Sequence, residues 1–113
     1  MIVLKFGGTS VGTAKSIQQV VEIITQIEQP KIVVLSAVSG TTNSLIQISN
    51  HIEKGEVDDA LLCVHQLHNS YLNLIGELYK TPNYKERARA FVATKFNGIK
   101  TLIETKESNN IDN

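Results

Sequence analysis

A lysine, three glycines and two hydroxyl residues crowd the start of this chain, as Lys5-Phe6-Gly7-Gly8-Thr9-Ser10-Val11-Gly12. That order suits a polyphosphate. Glycines carry no Cβ, so their backbone N–H groups can approach phosphate oxygens closely. A helix that follows at once adds orphan N–H donors and partial positive charge at its N-terminus. The lysine supplies a full charge where anionic charge must be offset. The spacing is not that of the Walker loop, because Thr13 and Ala14 stand where its Lys-Ser/Thr pair belongs. Nor is it the dinucleotide fingerprint, because Gly7, Gly8 and Gly12 do not fit G-x-G-x-x-G. On spacing alone, a tight strand-to-helix turn beside an exposed lysine explains these residues as well as a phosphate site does.

A second hydroxyl-rich stretch is Ser36-Ala37-Val38-Ser39-Gly40-Thr41-Thr42-Asn43. Taken together, the two stretches resemble the first two signatures of the aspartokinases, within the amino-acid kinase superfamily. The resemblance is sharp over roughly the first fifty residues of the chain and general beyond them. It implies transfer of the ATP γ-phosphate to the β-carboxylate of L-aspartate, the first step toward lysine, methionine and threonine. It implies that Lys5 is catalytic and that Lys5, Gly7, Gly8, Thr9 and Ser10 hold the nucleotide phosphates. Ser36, Gly40 and Thr42 would then bind aspartate, and Mg2+ would be held mainly through the phosphates of ATP. By spacing alone, Ser36 reads as a turn residue and Thr42 as a helix N-cap. The resemblance further implies a cytoplasmic parent enzyme that is a homo-oligomer. The opening Met-Ile-Val-Leu-Lys-Phe-Gly-Gly is compatible with a form fused to homoserine dehydrogenase.

The elements that must position these residues follow from periodicity. Met1 to Phe6 reads as a strand buried on both faces, as parallel strands are. From Thr13, a plausible N-cap, Ile17, Val20, Val21, Ile24 and Ile27 follow one helical face. Pro30 disfavours helix in the residue ahead of it. Ile32-Val33-Val34-Leu35 is a β-branched run inside a second strand, Lys31 to Ser36. Strand, helix and strand make a βαβ unit with an expected right-handed crossover.

Ala37 to Thr42 is expected as loop, with a helix from Thr42 or Asn43 whose inner face carries Leu45, Ile48 and Ile52. Gly55 is a natural stop, and Asp58 and Asp59 suit the first turn of the next helix. That helix turns Leu61, Val64, Leu67, His68, Tyr71, Leu74, Ile75 and Leu78 inward. Thr81-Pro82-Asn83 breaks it, and Asn83 with Glu86 resembles a capping box. The last helix has Ala88, Val92, Phe96, Ile99 and Ile103 inward, and its polar end from Glu104 to Asn113 is expected to fray.

The inventory is α/β, two strands and four helices. With the resemblance it predicts the N-terminal part of a three-layer α/β/α amino-acid kinase fold. Two apolar parallel strands belong inside a larger sheet, so residues 1–113 are expected to be an incomplete N-terminal portion of the catalytic domain, inactive by itself. The family's glycine-glutamate motif has no convincing copy here, since Gly76-Glu77 falls inside a helical pattern and Gly55-Glu56 comes early.

Eleven basic and eleven acidic residues cancel. With no basic stripe there is no signature of a nucleic-acid partner, and no apolar run approaches the ~20 residues of a membrane span. Cys63 stands alone, which excludes an internal disulfide and reads as a small buried hydrophobe. His65 and His68 have helix spacing that could hold a metal, but nothing in the sequence completes a ligand set, so no metal site is assigned. His51 has no evident partner. Two other readings stay open. One keeps the fold and changes the acceptor to glutamate, acetylglutamate or carbamate; the other is a non-catalytic phosphate-binding module complete at this length.

Overall fold

The computed structural model describes residues 1–111. The chain forms two compact units, Met1–Thr42 and Asn43–Asn113.

In the first unit, strand β1 (Ile2–Phe6) leads through a short 3-10 turn (Gly8–Val11) into helix α1 (Ala14–Gln26), and strand β2 (Lys31–Leu35) returns beside β1. The strands are parallel, in a register that sets Ile2 against Lys31, Lys5 against Val34 and Phe6 against Leu35. Helix α1 starts on a capping box. The Thr13 hydroxyl accepts from the Ser16 amide at 3.1 Å, and the Ser16 hydroxyl accepts from the Thr13 amide at 3.1 Å. It ends where Ile27 turns extended and its N–H donates to the Ile24 carbonyl. The Lys31 ammonium then donates to the Ile27 carbonyl at 2.6 Å, a cation at the negative end of the helix. Of the expected inner face, Val20 is buried and Ile17, Ile24 and Ile27 are half-buried, whereas Val21 is exposed.

The expectation that the strands are buried on both faces does not hold. Ile2, Leu4, Phe6 and Val33 are half-buried, but Val3, Ile32 and Val34 on the other face are 65%, 50% and 46% exposed. Side chains of a strand alternate between faces, and the single long helix of a β-α-β unit can cover only one of them.

Helix α2 (Thr41–Glu53) starts on the last two residues of the first unit, and α3 (Val57–Leu78) and α4 (Pro82–Ile111) follow it in the second. Ile48, Ala60, Val64, Leu67, Phe96 and Ile103 form its core. The Phe96 ring stacks on His68 at a centroid distance of 4.8 Å and meets the edge of Tyr71 at 5.6 Å. The inner faces expected for α3 and α4 are the ones found, with the fully buried Ala60 added to that of α3. Leu45, expected inward on α2, is exposed.

Two boundaries differ from expectation. Helix α4 begins at Pro82 with the Lys85 amide donating to the Thr81 carbonyl, so Thr81 rather than Asn83 stands at the cap. Proline at the first helical position is pre-set in φ and lacks only a donor that would be orphaned there anyway. The helix also continues to Ile111 instead of fraying from Glu104, as the helix-forming residues Glu104, Lys106 and Glu107 allow; the last two residues lie outside those described.

Candidate active site

All eight residues singled out for binding or catalysis, Lys5, Gly7, Gly8, Thr9, Ser10, Ser36, Gly40 and Thr42, lie in the first unit. Parallel pairing decides their placement. Because β1 and β2 run the same way, the Gly7–Gly12 loop and the Ser36–Gly40 loop leave the sheet at the same end. The pairing extends one residue past β2, where the Ser36 amide donates to the Phe6 carbonyl at 3.1 Å. Ligand sites of open α/β sheets lie outside the carboxyl ends of strands, and both loops are there.

The loops touch. A Cβ built on Gly12 would lie 3.1 Å from the Ser39 Cβ and 3.3 Å from the Gly8 carbonyl oxygen. A side chain at Gly12 would thus crowd the Ser39 side chain of the second loop and the Gly8 carbonyl of its own loop. Neither Gly12 nor Ser39 stands out in the sequence as a site residue. The signal was present in the motif, but glycine alone does not say whether it serves φ, a ligand or a neighbour.

The two conformations that matter are local. Gly7 is extended, at φ −78° and ψ 177°, and the turn begins directly after it. The Ser10 amide donates to the Gly7 carbonyl at 3.1 Å. The first amides of the turn, on Gly8 and Thr9, have no acceptor within it, and Gly7 offers no side chain to cap them. Gly7 is exposed, with nothing within 4 Å of a built Cβ. In the second loop the Thr41 amide donates to the Val38 carbonyl at 3.1 Å. Gly40, third residue of that turn, has φ +88°, the left-handed value of a type II turn. The chain then enters α2 directly, so Thr42 is the second residue of the helix and not its N-cap.

Lys5 is exposed on the uncovered face of the sheet, one residue before the end of β1. Ser36, Thr9 and Thr42 are exposed and Ser10 is half-buried. The histidines behave otherwise. His65 pairs with Asn69 at 3.2 Å, and His68 packs on Phe96 with its Nε2 buried and unpaired. His51, whose sequence neighbours give it no partner, lies beside Glu56 and Asp59.

This chain belongs to the amino acid kinase family, whose model matches residues 1–104. It is 44% identical over 75 residues to an aspartokinase of Chlamydia trachomatis, covering 66% of this chain and 17% of that protein. It is 49% identical over 55 residues to an aspartokinase of Pseudomonas aeruginosa, covering 46% of this chain and 13% of the relative. It is 33% identical over 111 residues to a bifunctional aspartokinase/homoserine dehydrogenase of Buchnera aphidicola, covering 92% of this chain and 13% of that one. The chain thus spans between 13% and 17% of the length of these curated relatives. No described helix is long and apolar enough to cross a membrane.

Proposed function

We propose that residues 1–113 are the N-terminal portion of an aspartokinase catalytic domain. The two loops then form the part of its active site where the terminal phosphate of ATP meets the side-chain carboxylate of L-aspartate. The observation that carries this reading is the contact between the glycine loop that follows Lys5 and a hydroxyl loop at the same end of two adjacent parallel strands. The names of the relatives supply the acceptor.

In the proposed reaction an aspartate β-carboxylate oxygen attacks the γ-phosphorus. The bond from that phosphorus to the β,γ-bridging oxygen breaks, ADP leaves, and an acyl phosphate forms. A carboxylate is already ionised at neutral pH, so the step needs no general base. Its difficulty is bringing two anions together. Two unit charges 4 Å apart repel by about 4 kcal/mol at an effective dielectric constant of ~20, and a positioned cation offsets a penalty of that size. Lys5 has this role, with the amides of Gly8 and Thr9 and the hydroxyls of Thr9 and Ser10 as neutral donors to phosphate oxygens. Ser36 and Thr42 hydrogen-bond the aspartate, and the turn at Gly40 gives it room.

The donors fit a nucleotide's phosphates. Residues 5–12 and 36–43 contain no Asp or Glu, so a Mg2+ accompanying ATP finds no carboxylate on these loops. It is carried by the phosphates.

The test is a chimera in which the 75 aligned residues of this chain replace their counterpart in the C. trachomatis aspartokinase. We expect aspartate-dependent ADP formation, with glutamate, acetylglutamate and carbamate turned over poorly. Lys5→Ala should lower turnover by about 10²–10³-fold, as loss of one preorganised transition-state donor does. Near-normal turnover in that variant would remove Lys5 from the mechanism. Preference for another acceptor would replace aspartate in the reading.

A further inference from the structure

We infer that His51, Glu56 and Asp59 form a divalent transition-metal site at the junction of α2 and α3. One ligand atom from each lies within 4.8 Å of the other two. The residues come from different elements. His51 is two residues before the end of α2, Glu56 immediately precedes α3, and Asp59 is the third residue of α3.

The turn between them is fixed by its backbone. The Gly55 amide donates to the Ile52 carbonyl at 3.1 Å, and the Glu56 amide donates to the His51 carbonyl at 2.8 Å. With Gly55 at φ +76°, this is the pair of bonds that defines a Schellman motif. The second bond ties the His51 and Glu56 backbones directly. Ala60, next to Asp59, has no exposed surface, which holds the first turn of α3 against the core.

Two observations favour an ion over an ordinary ion pair. His51 Nδ1 lies 3.5 Å from Glu56 Oε1. A charge-assisted N–H···O bond would close to about 2.7–2.9 Å. Two ligands of a tetrahedral Zn2+, each about 2.0–2.1 Å from the metal, stand about 3.3–3.4 Å apart. The His51–Glu56 gap of 3.5 Å is close to that edge, and the three ligand atoms together lie within 4.8 Å, so an ion would draw the set inward. The second observation is charge. Two carboxylates converge on one imidazole, and among the described residues no lysine or arginine pairs with either of them; the other ion pair is Arg89 with Glu86.

One nitrogen and two carboxylate oxygens suit Zn2+, Co2+ or Ni2+ rather than the all-oxygen preference of Mg2+ or Ca2+. Side chains of His51 and Glu56 are 32% and 41% exposed, so water can reach the remaining coordination position. Such an ion would cross-link α2 to α3 and stabilise the second unit.

The test is titration of the 113-residue chain with Co2+, read by its ligand-field absorption, followed by competition with Zn2+. One Co2+ per chain, displaced by Zn2+, is expected. His51→Ala and Asp59→Asn should each weaken binding by about tenfold or more, whereas Cys63→Ser and His65→Ala should leave it unchanged. Asp59 is exposed, so Asp59→Asn carries the decision if His51→Ala disturbs the helices by circular dichroism. Wild-type affinity in Asp59→Asn, loss of binding in Cys63→Ser or His65→Ala, or no saturable binding would each overturn the site.

Discussion

At the scale of single residues, glycines with the same letter serve different ends. A Cβ on Gly12 would meet Ser39 at 3.1 Å, whereas one on Gly7 would face open space. A side chain at Gly12 must displace either Ser39 or the Gly8 carbonyl, so Gly12→Val should destabilise the chain by about 1–3 kcal/mol, the usual cost of overpacking. Gly7→Ala should change stability by less than about 0.5 kcal/mol, since its backbone geometry suits any residue. Denaturant unfolding of both variants checks the contrast. If the phosphate reading is right, Gly7→Ala will still impair turnover in the chimera, because the added methyl occupies space that phosphate oxygens need. Gly40 is a third case: its neighbours leave room, but φ is +88°, and Gly40→Ala should cost about 1–2 kcal/mol through backbone strain alone.

At the scale of elements, α1 shows how far a sequence can be read. Thr13 was legible as its cap, because a hydroxyl residue stands directly before the apolar periodicity. The reciprocal bond from Ser16 was not, since the capping-box pattern favours Glu or Gln there. Thr13→Ala removes the hydroxyl that accepts from the Ser16 amide, while its own backbone amide can still donate to Ser16; the loss should cost about 1 kcal/mol, measured as a shift of the unfolding midpoint. Asn83 misled for a related reason: its spacing to Glu86 imitates a capping box, but Pro82 fits the first helical position better and moves the cap to Thr81. The parallel strands and their two loops were readable because β-branched runs and glycine-rich turns leave local marks. The Gly12–Ser39 contact and the meeting of His51 with Glu56 and Asp59 were not, because each joins residues whose spatial approach depends on a turn. In the second unit, the buried Phe96 ring contacts both His68 and Tyr71. Phe96→Ala should cost about 3–5 kcal/mol.

At the scale of the whole molecule, the exposed sheet face separates the competing accounts. Val3, Ile32 and Val34 lie together on one side of two paired strands, and each strand of the two-stranded sheet has one unpaired edge. A two-stranded sheet is marginal by itself, and free edges beside an apolar face template association with another chain. A self-sufficient binding module would sediment as a monomer and unfold in one cooperative transition. The portion of a kinase domain proposed above should instead self-associate, with a weight-average mass that rises with concentration in sedimentation equilibrium. The double variant Ile32→Lys, Val34→Lys places two like charges on that face without touching Gly7, Gly8, Ser36 or Gly40, and should shift the chain toward monomer. A wild-type chain that stays monomeric across the concentration range would favour the self-sufficient module, because an apolar face that does not associate needs no further sheet to cover it.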